Sequence, residues 1–499
     1  MRIAAIGAAL VMCTGVAHAQ AVDASKDKGA SITVREAAAR SGIQAARKGD
    51  CDTAATALDR ALADGGGDPL PRALAIDAYE AATACAANSR DRDRAYRMAM
   101  AAIAKGGSSM MLWNQRLDHE SRNSPDAVAV TIEAMAARAP DILNRIPLRW
   151  LSLYDNDLRD RKVVAARRRL LRVVTSPAYQ PEEPVPLLDG FLQSEAEYLV
   201  ADGRKADAAK LVSRIKHPSI LLEMSFDPRF RAMLPADLDL RAAATRLLAE
   251  ARTAMQDYPQ MLNPILLAAQ QQRMLGDAEG ALKTLEIAGK VRTSAADYSD
   301  GDEQRNWWWD GLSRTYWLLG RPKDAEAALR SGSGAEENGG LNVSQLINLS
   351  QMQLATAPKE ALATLAPFAR PMPVSAYGAA EMRYARGCAY ALTGDRTAAQ
   401  ADLAFLSERE KDHPEALTRL LLCMGEMDRA AAALIRRLED PARLAQALAL
   451  LSDFDAPPAA APIDPITSRL PALKARPDVQ AAIARAGGTR RIHLQGMEL

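Results

Sequence analysis

Six glycines, Gly49, Gly203, Gly276, Gly320, Gly394 and Gly425, are each followed five residues later by alanine and nine residues later by an aliphatic residue. The alanines are Ala54, Ala208, Ala281, Ala325, Ala399 and Ala430; the aliphatic residues are Leu58, Val212, Leu285, Leu329, Leu403 and Leu434. Five of the glycines also have a small residue seven positions earlier: Gly42, Ala196, Ala269, Ser313 and Gly387. This pattern describes a helical hairpin. Glycine ends one helix by taking a left-handed conformation without strain, and the next helix starts within a residue or two. Small residues then fall where the two helices approach closely, and the aliphatic residue, one turn beyond the alanine, fills the core between them. Composition agrees: 48% of residues are hydrophobic but only 5% aromatic, so the core must come mainly from alanine, leucine and valine, which suit close helix packing better than a sheet sandwich.

The fullest unit reads Trp309, Leu312, Ser313, Tyr316, Gly320, Ala325 and Leu329, and Tyr390 stands before Gly394 as Tyr316 does before Gly320. Thr356, with Ala361 and Leu365 in register, marks a unit between them, so the steps from Gly320 to Thr356 and on to Gly394 are 36 and 38 residues. This arrangement resembles the tetratricopeptide repeat, whose period is about 34. The resemblance runs from Gln260 to Asp440 and extends to the units at Gly49 and Gly203; between Asp68 and Glu182 helical hairpins are expected from periodicity alone. It implies an all-α solenoid of antiparallel hairpins, with Trp309 as the core tryptophan. The expected layout is a signal peptide over 1–19, a flexible segment over 20–34, a degenerate array over 35–234, a second array over 235–440, and a helical cap, proline-rich linker and tail over 441–499. Two terminators are expected: a short helix beginning at Pro228 and ending near Leu234, and another beginning at Pro477. The residues from Gly487 carry no pattern and are expected to be mobile.

Arg2, the apolar stretch from Ile3 to Val16 and the Ala17-His18-Ala19 site read as a secretory signal cleaved before Gln20, which implies a periplasmic or secreted protein. A competing reading lipidates Cys13. No later apolar run approaches the roughly 20 residues of a membrane span. Cys51, Cys85, Cys388 and Cys423 form two distant couples. Pairing within each couple is the expectation, with four buried thiols as the alternative.

The formal net charge is +1, which supplies no field to steer nucleic acid, so none is expected as a partner. His119, His217, His413 and His493 are isolated, and no HExxH, GxSxG, paired CxxC or phosphate-binding GxxxxGK occurs. Asp297, Asp300, Asp302 and Glu303 form an acidic loop off the EF-hand spacing. A metal, a cofactor and catalytic residues are therefore not expected. The alternative class, a helical cell-wall enzyme like the lytic transglycosylases, needs a lysozyme-like domain for which the residues after Asp440 are too few.

Two surfaces invite ligands. Tetratricopeptide arrays generally hold peptides or proteins against their first helices, and the branch that binds chaperone C-termini uses lysine and asparagine there, absent from Glu36 to Ile43. On that face the spacing places Trp307, Asp310, Arg314 and Trp317, joined by Asn263, Gln270 and Arg273 on one side and Gln353, Glu381 and Tyr384 on the other. Such a mixture of aromatic, arginine and amide groups suits a peptide or a glycan, although Trp307 and Trp317 also suit packing between repeats. The second surface is basic: a helix from Arg159 to Val174 is expected to carry Arg161, Lys162, Arg168, Arg169 and Arg172 on one side, as an anion patch for a membrane surface or acidic polymer or simply as a solvated face.

Overall fold

The computed structural model describes residues 33–63, 69–292, 294–334, 340–369, 374–456 and 465–495, apart from the side chains of residues 369, 465 and 467. The expected signal peptide, Cys13 and nearly all of the expected flexible segment lie outside these. Thr33 caps the first helix by accepting from the Glu36 amide. Among the described residues there are 26 α-helices and one two-stranded sheet, and no helix is long and apolar enough to cross a membrane. The described residues form an all-α, tetratricopeptide-like repeat fold in two compact units, one up to Glu182 and one from Glu183.

In the N-terminal unit the helices are α1 (Val34–Arg47), α2 (Cys51–Leu62), α3 (Arg72–Asn88), α4 (Arg92–Ala104), α5 (Met110–Asn123), α6 (Pro125–Arg138), α7 (Pro140–Asn144), α8 (Leu148–Asp160) and α9 (Val164–Val174). The C-terminal unit begins with α10 (Asp189–Ala201), α11 (Lys205–Val212), α12 (Pro218–Phe226) and α13 (Leu240–Asp257). Hairpins follow: α14 (Asn263–Met274) with α15 (Ala278–Ile287), α16 (Gly301–Leu318) with α17 (Pro322–Ser333), α18 (Val343–Gln353) with α19 (Pro358–Leu365), α20 (Ala376–Thr393) with α21 (Arg396–Glu408), and α22 (Pro414–Met424) with α23 (Met427–Glu439). The unit ends with α24 (Leu444–Leu451), β1 (Asp453–Phe454), α25 (Pro465–Lys474), α26 (Pro477–Ala486) and β2 (Arg491–Ile492).

The repeated spacing is realised at every unit. All six turn glycines have φ between 68 and 92°, all six alanines are fully buried, and so are the six aliphatic partners. At Gly394 the sequence of events is plain: φ is 92°, α20 stops there, and the Asp395 carboxylate accepts the Ala398 amide at 3.0 Å to start α21. Seven residues earlier on α20, a Cβ added at Gly387 would lie 3.0 Å from the Asp402 Cβ and 3.0 Å from a Leu420 methyl, which is why that contact tolerates nothing larger.

The degenerate N-terminal hairpins turn on a different residue. Arg90 and Lys162 have φ of 60°, where the other turns place glycine. Ala95 and Ala99, five and nine residues after Arg90, are fully buried, and Asp91 caps α4 by accepting the Arg94 amide. At Arg90 the register persists and only the glycine is gone; after Lys162 the fifth residue is Arg167, paired with Asp155.

Four expectations need correction. The chain does not divide at Leu234, because α10 to α12 belong to the C-terminal unit, where Leu222 and Phe226 of α12 enter the same core as Leu448 and Leu494. Pro228 starts no helix: α12 ends at Phe226 and a turn leads into a 3-10 segment over Arg231–Met233, anchored by buried Phe230. The stretch from Arg159 to Val174 is not one helix. It is the end of α8, a turn containing Arg161 and Lys162, and then α9. Finally, residues 487–495 are built into the fold. β2 pairs in parallel with β1, the Asp455 amide donates to the Leu494 carbonyl, and Ile492 and Leu494 are buried.

That last segment closes the C-terminal unit. Arg490 donates to Ser225 at the end of α12, and the Gln495 amide donates to the Met274 carbonyl at the end of α14 at 2.9 Å. We call residues 487–495 the strap. The cysteines pair as expected within couples: Cys51 with Cys85 at a Cα separation of 5.2 Å, linking α2 to α3, and Cys388 with Cys423 at 5.6 Å, linking α20 to α22.

Candidate binding cavity

The first helices of five successive hairpins in the C-terminal unit, α14, α16, α18, α20 and α22, face one cavity of about 490 Å³. Its wall includes Arg273, Asp310, Arg314, Trp317, Asn348, Gln351, Tyr384 and Arg419, and Ile466 of α25 and Gln495 of the strap complete it. This size and mixture, apolar surface with a few directed polar groups, is that of a small-ligand or peptide-end site.

Each polar group is held in place. The buried Asp310 carboxylate receives Arg314 Nε at 2.6 Å and Asn348 Nδ2 at 2.9 Å, which fixes a guanidinium whose side chain is 42% exposed. Arg273, buried, donates to the Gly311 carbonyl and the Thr315 hydroxyl of α16. The Arg419 guanidinium lies 4.1 Å from the centre of the Tyr384 ring and donates to Glu381 at 3.2 Å. Burial works against the Arg419 charge, but Tyr384, Glu381 and Glu415 outweigh it and hold its pKa above the ordinary value. Glu381 sits behind Arg419, buried, with His413 Nε2 at 2.5 Å and the Gln351 amide as further partners. Burial would push its carboxyl up, yet the hydrogen bond from His413 and the charge of Arg419 bring it below the usual range, so it stays ionised.

Of the residues placed on this face from sequence, Arg273, Asp310, Arg314, Trp317 and Tyr384 line the cavity, and Glu381 supports it from behind. Trp307, nearer the start of α16, is 46% exposed and lies off the wall. Asn263 and Gln270 are half-buried elsewhere on α14. Gln353 points the other way. It is fully buried, donating to Glu326 at 2.9 Å and accepting from Thr364 at 2.8 Å, among the second helices. The tryptophan triplet also divides its labour differently from the expectation. Trp309 packs against Gly332 of α17, but the fully buried member is Trp308, which donates to the Leu285 carbonyl at 2.9 Å and lies beneath Arg292.

Sequence reasoning passed over Arg419, Asn348, Gln351, Ile466 and Gln495. A signal for Arg419 existed: it stands six residues before Gly425, as Arg314 stands six before Gly320. Nothing local announces Ile466 or Gln495, which arrive by closure of the unit.

The basic surface is less concentrated than its sequence suggests. Arg161 pairs with Asp157 at 2.9 Å, Arg169 approaches Glu133 at 3.9 Å, Arg168 is half-buried, and Arg172 is exposed. In the acidic loop, Asp300 accepts the Leu262 and Asn263 amides at 2.7 and 2.9 Å, so it caps α14.

No protein-family model matches the chain, and no curated protein matches it. Two solved structures align over most of its length. One is the crystal structure of the APC/C hetero-tetramer Cut9-Hcn1, at 13% identity, covering 91% of this chain and 97% of that one with a TM-score of 0.23. The other is a circular tandem repeat protein with novel repeat topology and enhanced subunit contact surfaces, at 12% identity, with the same coverage and a TM-score of 0.14. With scores this low the superpositions are no basis for a common fold, and the tetratricopeptide-like architecture rests on the hairpins themselves.

Proposed function

We propose that this protein is an exported, non-catalytic scaffold that seats a short segment of a partner protein in the cavity of its C-terminal unit. The supporting observation is the convergence of five first helices on one cavity whose polar groups are held in position from behind. Such preorganised groups suit recognition, because little ordering is left to be done on binding. Export is supported by the Ala17-His18-Ala19 site and by two cysteine couples at bonding distance, which suit an oxidising compartment. A role at the cell envelope, in assembly, secretion or polysaccharide export, accords with these features.

The test is affinity capture from envelope extract with the wild-type chain and with Trp317→Ala in parallel, followed by mass spectrometry. A partner retained by the wild type and lost by a variant of unchanged melting temperature supports the reading. Equal capture by both overturns it. N-terminal sequencing of protein from its host should begin at Gln20; a terminus at a lipid-modified Cys13 would place the protein on a membrane.

A further inference from the structure

We infer that the cavity takes an uncharged, extended peptide segment, whose main-chain N–H groups are received by the side-chain oxygens of Asn348 and Gln351. This rests on the binding role proposed above and adds the chemistry of what is bound.

Both amides stand on α18, three residues apart and so on one face of the helix, and both are half-buried in the cavity wall. Each is oriented by a buried carboxylate: Asn348 Nδ2 donates to Asp310 at 2.9 Å, and Gln351 Nε2 donates to Glu381. Those carboxylates also receive Arg314 and Arg419, so they act only as acceptors. The nitrogen of each amide must therefore face its acid, and the oxygen must face away from it. Among the described residues no donor reaches either oxygen. The wall thus holds two fixed acceptors that a ligand's donors would satisfy.

Charge decides what kind of donor. At the wall and behind it, Arg273, Arg314 and Arg419 stand against Asp310, Glu381 and Glu415, three of each sign among the described residues. A bound ion of either sign would meet no excess of the opposite charge, so the donors belong to an uncharged group.

Spacing favours main chain. An extended segment rises about 3.3 Å per residue, so its alternate N–H groups lie about 6.6 Å apart on one side. Helix residues three apart set their Cβ atoms about 5–6 Å apart, which places the two amides within reach of such a pair. Met274, Leu318, Met352 and Leu354 supply apolar wall beside them, and Trp317 a flat face. These side chains suit an apolar residue of a peptide better than the hydroxyl-covered edge of a sugar. The cavity, about 490 Å³, has room for a few residues.

The probes are five acetylated, amidated tetrapeptides of alanine with valine, leucine, methionine, phenylalanine or tryptophan at the third position, and cellobiose, each titrated calorimetrically into the full chain. At least one tetrapeptide should bind, with little change between low and high salt. Replacing two alternate N–H groups of that peptide with N-methyl groups, which keeps its carbonyls and side chains, should weaken it about tenfold. Gln351→Met should bind the parent peptide more weakly than the wild type does and lose less on N-methylation; a merely structural role for Gln351 would leave the N-methyl penalty unchanged. N-methylated and parent peptides binding the wild type equally would overturn the acceptor pair and leave the scaffold reading standing. Binding of cellobiose alone, or of none of the probes, would overturn the inference, and partner capture would then judge the scaffold separately.

Discussion

Arg490 donates to the backbone oxygen of Ser225 at 2.9 Å across 265 residues of chain, while its guanidinium lies 4.8 Å from the centre of the Phe226 ring. A second donor reaches the Ser225 hydroxyl at 3.0 Å. These contacts help satisfy the Ser225 carbonyl at the open end of α12 and pin the strap there. Arg490→Ala should therefore cost about 2 kcal/mol, within the range for charge-assisted bonds to partly buried groups. Amide exchange at Gln495, whose N–H is bonded to Met274, should accelerate in parallel; unchanged protection there would show that the strap is held without Arg490.

Exchanging turn residues should give effects of opposite sign. Gly394→Ala forces a side chain into a φ of 92° and should destabilise by about 1 kcal/mol. Arg90→Gly relieves the same kind of strain at a φ of 60°, and after the added freedom of the unfolded chain a gain of up to about 0.5 kcal/mol remains. Chemical denaturation of the two variants checks the pair, and destabilisation of similar size in both would contradict it.

Glu223 provides a pH dependence. Burial, reinforced by the negative charges of Glu415 and Glu197, raises its carboxyl to about 7. In the unfolded chain it titrates near the ordinary glutamate value, so the folded state binds the extra proton. Its contribution is fully present below about pH 4.5 and is lost as pH rises through about 7. Over pH 5 to 8 the wild type should lose more melting temperature than Glu223→Gln. Parallel curves would show that Glu223 does not titrate in this window.

The two cysteine couples close loops of 34 and 35 residues, and each should add about 3 kcal/mol by restricting the unfolded chain. Non-reducing peptide mapping should recover Cys51 with Cys85 and Cys388 with Cys423. Replacing both members of either couple with serine should lower the melting temperature, and no change in either case would mean that the links are absent in solution.

What sequence could convey divides along local and distant lines. Gly276, Ala281 and Leu285 declare a hairpin because a turn conformation, a close contact and a core position all fall within ten residues. The same logic identified Asp310, Arg314 and Trp317 as sharing a helix face. It failed at Arg90 and Lys162, where ordinary side chains hold a left-handed turn, and at Gln353, whose amide is satisfied inside by Glu326 and Thr364. It could not reach Gln495, Ile466 or the Ser225 end of α12, because those are brought in by closure of the unit, over 265 residues between Arg490 and Ser225, and periodicity says nothing about which ends meet.

The bond between Cys388 and Cys423 has a consequence for discrimination. It joins α20, which carries Tyr384 and Glu381, to α22, which carries Arg419. Repeats that touch only through packed side chains can slide and splay, and a site spread over two of them would adapt its width to whatever enters. A covalent tie one turn from Arg419 and Tyr384 removes that latitude on one side of the cavity. A ligand of the proposed site would then meet a wall of fixed span, and one a methylene too long should be strained itself and not be accommodated by breathing of the protein.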